Sequence, residues 1–112
     1  MTVTASVLIP SKTAEAAQTT QYTSASNVTT IIDKFTAINY DTVAQTISVN
    51  LVTSATTAAS GNLITQTKAL QAGESYTFPE IVGHVLAAGG FISTIASATP
   101  AISIRASGRM VT

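Results

Sequence analysis

Between Val43 and Leu51 apolar and polar side chains exchange places at almost every step. Val43, Gln45, Ile47, Val49 and Leu51 fall on one side of the alternation, and Ala44, Thr46, Ser48 and Asn50 on the other. A period of two sends successive residues to opposite faces of a pleated strand, so this segment predicts a half-buried antiparallel strand. Weaker runs of the same kind recur along the chain: Thr30 to Asn39, Leu63 to Leu70, Ser75 to Phe78, Phe91 to Ala96 and Ala101 to Ala106. Turn formers separate them at Tyr40 to Thr42, Gln71 to Glu74, Gly89-Gly90 and Ser97 to Pro100, and a longer loop, Thr53 to Asn62, closes with Gly61-Asn62. Short strands with turn signals between them predict an all-β fold, an antiparallel two-sheet β-sandwich. Jelly-roll and immunoglobulin-like topologies both satisfy this pattern. One segment departs from it. Glu80 to Ala88 spaces Ile81, Val85 and Ala88 as a helix would, and Gly83 limits it to a short helical turn near residues 80–88.

The length of 112 residues suits one domain. Residues 1–18 divide from the rest on composition. Thr2 to Ile9 alternates and stops at Pro10, and Ser11 to Gln18 favours helix but is short and has no apolar stripe. That piece reads as a loop or single turn, and residues 1–18 as an N-terminal extended arm or a leading strand. Residues 19–112 form the sandwich domain, beginning with a Thr-rich edge segment, Thr19 to Asn27. Within Thr30 to Asn39, the alternation places Ile31, Phe35 and Ala37 on one face and Ile32, Lys34, Thr36 and Ile38 on the other. Gly108 predicts a bend before a tail, Arg109 to Thr112.

Charge is scarce, with five acids, five bases and one histidine, and there is no Cys or Trp. Charged residues make up 9% of the chain against roughly 25% in ordinary soluble domains. A surface so poor in charge favours self-association or burial in an assembly, and a homodimer or homotrimer is expected. The zero net charge argues against nucleic acid as a partner, because phosphate binding needs clustered Lys and Arg. Ser and Thr interrupt every apolar run, so no membrane helix is expected, and Met1 to Pro10 has neither the basic region nor the apolar run of a signal peptide. Synthesis and use in the cytoplasm, or release by lysis, follow as expectations.

Few side chains could carry chemistry. His84 stands among Val82, Val85 and Leu86 and reads as a turn residue. Glu80 lies close to it in sequence, but no second His and no Ser in a strained turn completes a nucleophilic triad. Ala88-Ala-Gly-Gly90 lacks the Lys-Ser/Thr that follows a phosphate loop. No enzymatic activity, cofactor or metal site is expected. The candidate interface residues are Asp33, Lys34, Arg105 and Arg109. Asp33 and Lys34 are adjacent in a strand, so one of them must face inward, lie near a strand end or meet a partner. Arg105 and Arg109 form a small basic spot, and the planar Arg fork suits an acidic neighbour.

The second half of the chain carries a further signal. Asn62-Leu-Ile, Leu70-Gln-Ala-Gly-Glu-Ser-Tyr, Pro79-Glu-Ile-Val-Gly-His-Val-Leu, Gly89-Gly-Phe-Ile-Ser and Ile104-Arg-Ala-Ser-Gly occur in that order. This succession resembles small β-sandwich virion proteins of tailed bacteriophages, most of all the head cement or decoration proteins of short-tailed phages, over roughly Ile31 to Arg109. The resemblance implies a structural protein on the capsid surface, made in the host cytoplasm, whose partner is the major capsid protein. It brings no active-site residues with it. The alternative is a tail- or fibre-associated module binding a host surface carbohydrate. Such sites use aromatic platforms, for which only Tyr22, Tyr40 and Tyr76 are available among tyrosines.

Overall fold

A computed structural model describes all residues, Met1 to Thr112. Nine strands follow one another: β1 (Val3–Thr13), β2 (Thr19–Thr23), β3 (Thr29–Asn39), β4 (Gln45–Val52), β5 (Leu63–Leu70), β6 (Ser75–Tyr76), β7 (Val85–Leu86), β8 (Phe91–Ala96) and β9 (Ile102–Val111). They form two antiparallel sheets. The first, sheet A, runs β1-β9-β3 with β6 and β7 sharing the far side of β3; the second, sheet B, runs β2-β8-β4-β5. Counting β6 and β7 as one interrupted strand, each sheet has four positions, and the chain changes sheet at every connection except β4 to β5 and β6 to β7. The first and last strands are neighbours. This is the jelly roll, two interleaved Greek keys, and it decides between the two topologies the sequence allows.

The core lies between the sheets. Ile32, Phe35 and Ala37 of β3, Ile47 and Val49 of β4, Ile92 of β8 and Ile102, Ile104 and Ala106 of β9 are all buried in one cluster. Phe78 joins it from the connection after β6, meeting Phe35 edge-on at 4.9 Å and Tyr76 at 4.7 Å between ring centroids. It does so at φ 44°, a left-handed conformation that an aromatic residue adopts only when its surroundings hold it there.

Bulges account for the places where alternation misleads. Strand β9 alternates without a break, Ile102, Ile104, Ala106 and Gly108 facing inward, but both of its neighbours carry an extra residue beside it. In β3 the register shifts between Ile32 and Lys34, so Asp33 is the extra residue. Ile32 is therefore buried with Phe35 and Ala37, while Ile31 lies on the other face, the reverse of the expected assignment of those two isoleucines. In β1 one shift falls between Val7 and Ile9, where Leu8 and Ile9 are both buried, and a second between Ile9 and Lys12. The expected bend at Gly108 is absent, because Gly108 lies inside β9, between the two bulges.

Residues 1–18, read as an arm or a leading strand, contain β1, which pairs with β9 from Val3 to Thr13. The strand continues past Pro10, which lies on an edge strand within the register shift between Ile9 and Lys12, two settings in which a sheet tolerates proline. The region expected to hold a helical turn forms consecutive turns: Ile81 and Val82 N–H donate to the Phe78 carbonyl and His84 N–H to that of Ile81. The chain then re-enters sheet A as β7. The one 3-10 turn lies elsewhere, at Ser60–Asn62.

Candidate functional site

The four residues singled out from the sequence come together on the outer face of sheet A, on its two central strands. Odd-numbered residues of β9 point outward, which places Ser103, Arg105, Ser107 and Arg109 in a row. Beside them on β3 stand Ile38, Thr36 and Lys34, paired with Ser103, Arg105 and Ser107, and then Ile31 opposite Arg109. The bulge sets Asp33 outward as well. Of the alternatives expected for Asp33 and Lys34, an inward-facing charge is overturned, since two residues that straddle a bulge can both reach solvent.

Asp33 and Arg109 neutralise each other. Arg109 donates from Nε to both carboxylate oxygens, at 3.2 and 3.0 Å, and from Nη2 to Oδ1 at 2.9 Å. The hydrogen bonds and the charge of Asp33 raise the Arg109 pKa further above its ordinary value. Both side chains are nearly half exposed, so the pair contributes little to stability. It does remove Arg109 from the expected basic spot. Arg105 has only a long contact of 3.4 Å, from Nη1 to Ser11 Oγ, and Lys34 forms no ion pair. These two cations are diagonal neighbours across the β3–β9 ladder, in a shallow hollow of about 390 Å³ whose polar lining is completed by Ser11, Thr36, Ser103 and Ser107. Sequence inspection finds the cations because charge is rare. It misses the hydroxyls, which look like every other Ser and Thr of the chain.

The remaining polar groups knit the fold. Glu80 accepts from Thr65 Oγ1 at 2.6 Å and Tyr76 Oη at 2.8 Å, joining β5, β6 and the turn after Pro79. Partial burial pushes its carboxyl pKa up, but bonds from Thr65, its own backbone and Tyr76 outweigh that and hold it below the usual value. Lys68 lies 4.5 Å over the Tyr76 ring. On the outer face of sheet B, Asn50 is buried beneath the loop before β5: its Nδ2 donates to Ala59 O at 3.0 Å and Asn62 Oδ1 at 2.6 Å, and Gln18 reaches its Oδ1 at 3.4 Å. His84 is exposed beside a hollow of about 290 Å³, and its side chain makes no hydrogen bond. No three His, Cys, Asp or Glu side chains gather where they could hold a metal ion. Of the tyrosines, Tyr40 is half exposed and shares a hydrogen bond of 3.0 Å with Thr13 Oγ1, whereas Tyr22 bonds Thr30 and Tyr76 meets Phe78 edge-on. No family model, curated protein or solved structure matches this chain.

Proposed function

We propose that this chain is a structural phage virion protein, a cement or decoration protein that binds the capsid lattice through the outer face of sheet A. The observation that carries the reading is the composition of that face: a broad surface of Ser and Thr hydroxyls with Val and Ile side chains among them and two cations, Lys34 and Arg105, that no carboxylate of the chain neutralises. Short hydroxyl side chains and exposed aliphatic ones suit a flat partner, and the cations select an acidic one. The jelly roll supplies a rigid support, because its two sheets are joined by many crossings and a single aromatic-aliphatic core. The major capsid protein is the expected partner, with no enzymatic step. The carbohydrate-binding alternative loses ground because Tyr40 is the only tyrosine available as an open platform.

Two measurements test this. Mass spectrometry of particles from cells that make the chain is expected to find it in hundreds of copies; a few dozen copies would favour a tail module, and absence from particles would end the reading. In co-sedimentation with heads lacking the protein, Lys34→Glu with Arg105→Glu is expected to abolish binding while leaving the melting temperature unchanged. Undiminished binding would show that this face is not the contact.

A further inference from the structure

We propose that β1 pairs antiparallel with β1 of a second copy, across a twofold axis through Ala5, so that the two A sheets join into one continuous sheet. β1 is the outermost strand of sheet A, bonded to β9 on one side and open on the other. Its hydrogen-bonding phase is fixed by the reciprocal bonds between Thr2 and Thr112, at 3.0 and 2.9 Å. In an antiparallel ladder bonded and non-bonded pairs alternate, so Thr2, Thr4 and Ser6 turn their backbone groups to β9. Val3, Ala5 and Val7 turn theirs to the open edge. β3 agrees from the other side: Ile32 exchanges its backbone groups with His84 and Gly83, which leaves Ile31 to bond Arg109 and Arg109 unbonded to Ala5. Apart from a 3.5 Å contact of Ser6 Oγ with the Val7 carbonyl, no hydrogen bond outside the ladders reaches these three residues.

A second copy fits this edge because the segment is complementary to itself. With the axis through Ala5, Ala5 faces Ala5 of the partner subunit, and each Val3 faces a Val7, giving roughly six backbone hydrogen bonds. Val3 and Val7, 53% and 47% exposed, are the two large apolar side chains that β1 leaves open, and this register covers both with each other. The small Ala5 leaves the axis unobstructed. No charged side chain occurs before Lys12, so nothing along the segment repels its own image. The bulge at Leu8 and then Pro10 end the regular stretch and limit the register.

The other edges are defended. β5 carries Lys68 and a kink at Thr67 with φ 43°, β2 is five residues long with a register shift inside it, and β6 and β7 are two residues each. Natural sheets protect edges with charge, bulges and brevity, and Val3 to Val7 has none of these within it. The area covered by so short a pairing is below that of a standard interface, so a reversible dimer with a Kd on the order of ten micromolar is expected.

Sedimentation equilibrium of the whole chain tests the proposal. The wild type is expected to move from monomer to dimer over about 1–100 µM, a range that brackets the expected Kd. Ala5→Pro removes an N–H that β9 does not use, so it should weaken the dimer at least tenfold with little change in melting temperature. Val3→Lys with Val7→Lys sets like charges opposite each other and should abolish the dimer, whereas Val3→Lys with Val7→Glu sets opposite charges together and should keep it. The chain has no cysteine, and directly opposed Cα atoms about 5.5 Å apart lie within disulfide reach, so Ala5→Cys should cross-link to itself on oxidation while Val43→Cys does not. A wild type that stays monomeric across the range overturns the proposal. So does a dimer that either Ala5→Pro or the Lys/Lys pair leaves intact, loss of the dimer with Lys/Glu, or equal cross-linking at Val43.

Discussion

Replacing Gly108 by alanine adds one methyl group at the point where the two bulges close on β9. A Cβ at Gly108 would collide with the Ile31 carbonyl oxygen and lie 3.0 Å from Leu8 Cδ1. Leu8 could turn aside, but the carbonyl belongs to the backbone of β3 and can move only if the β3–β9 ladder moves with it. Overpacking against side chains typically costs about 1–3 kcal/mol, and a backbone obstacle belongs at the upper end, about 3 kcal/mol. With an unfolding entropy of about 2.1 cal/mol/K per residue, a chain of 112 residues loses ~4 °C in Tm per kcal/mol, so Gly108→Ala should melt ~13 °C lower. Gly61, with no atom within 4 Å of its added Cβ, is the control, and Gly61→Ala should melt within about 2 °C of the wild type. Thermal unfolding followed by circular dichroism measures both. If Gly108→Ala melts with the wild type, β9 is not enclosed by bulges as described, and the outward placement of Asp33 and Lys34 fails with it.

Asn50→Ala strands the partners that hold the loop before β5, and a cost of about 2 kcal/mol is expected, with faster proteolysis between Thr53 and Ser60 than elsewhere; uniform cleavage would count against the role of Asn50. Phe78→Ala removes both edge-on aromatic contacts and should cost about 3–5 kcal/mol in denaturant unfolding; a cost below about 1 kcal/mol would show that Phe78 is not part of the core. The Glu80 carboxyl has its pKa depressed in the folded state, so its contribution is present above the ordinary Glu value near 4.3 and is lost as pH falls through the folded value. Between pH 6 and pH 3, Glu80→Gln should therefore lose less Tm than the wild type, and an equal or greater loss would contradict the sign.

The strands were legible because the period-two pattern survives in the sequence wherever one face is buried. Phe91 to Ala96 and Leu63 to Leu70 coincide with β8 and β5. A bulge carries no such mark. Nothing in Ile31-Ile32-Asp33-Lys34 announces which residue is extra, and one insertion reverses the face of every residue on one side of it. Gly108 reads as a bend in the sequence for a related reason: glycine marks both turns and close approaches, and the approach of Ile31 and Leu8 exists only after β1 and β3 have met β9. The split of one strand position into β6 and β7 falls at Phe78, whose left-handed backbone accompanies a tertiary contact with Phe35 that lies outside local preference. The site was half visible. Four scarce charges could be named, but their meeting on one face follows from the register of β3 on β9, as does the ion pair that removes Arg109 from the basic spot.

The two outer faces of the sandwich differ in how far the chain finishes them. Sheet B is roofed: Ser48, Asn50 and Ser93 point away from the core yet are buried, each held in hydrogen bonds to the loop before β5, to Gln18 or to the β5 backbone. Sheet A has no such cover. Its outer residues are Val3, Val7, Ile31, Ile38 and Val85 with hydroxyls and two unpaired cations between them, and its β1 edge is open. A chain that meets the hydrogen-bonding needs of one face with its own side chains and leaves the other bare concentrates its unmet interactions in one direction. The two proposed associations both use that asymmetry: a flat acidic partner would cover the open face, and the same strand of a second copy would cover its edge.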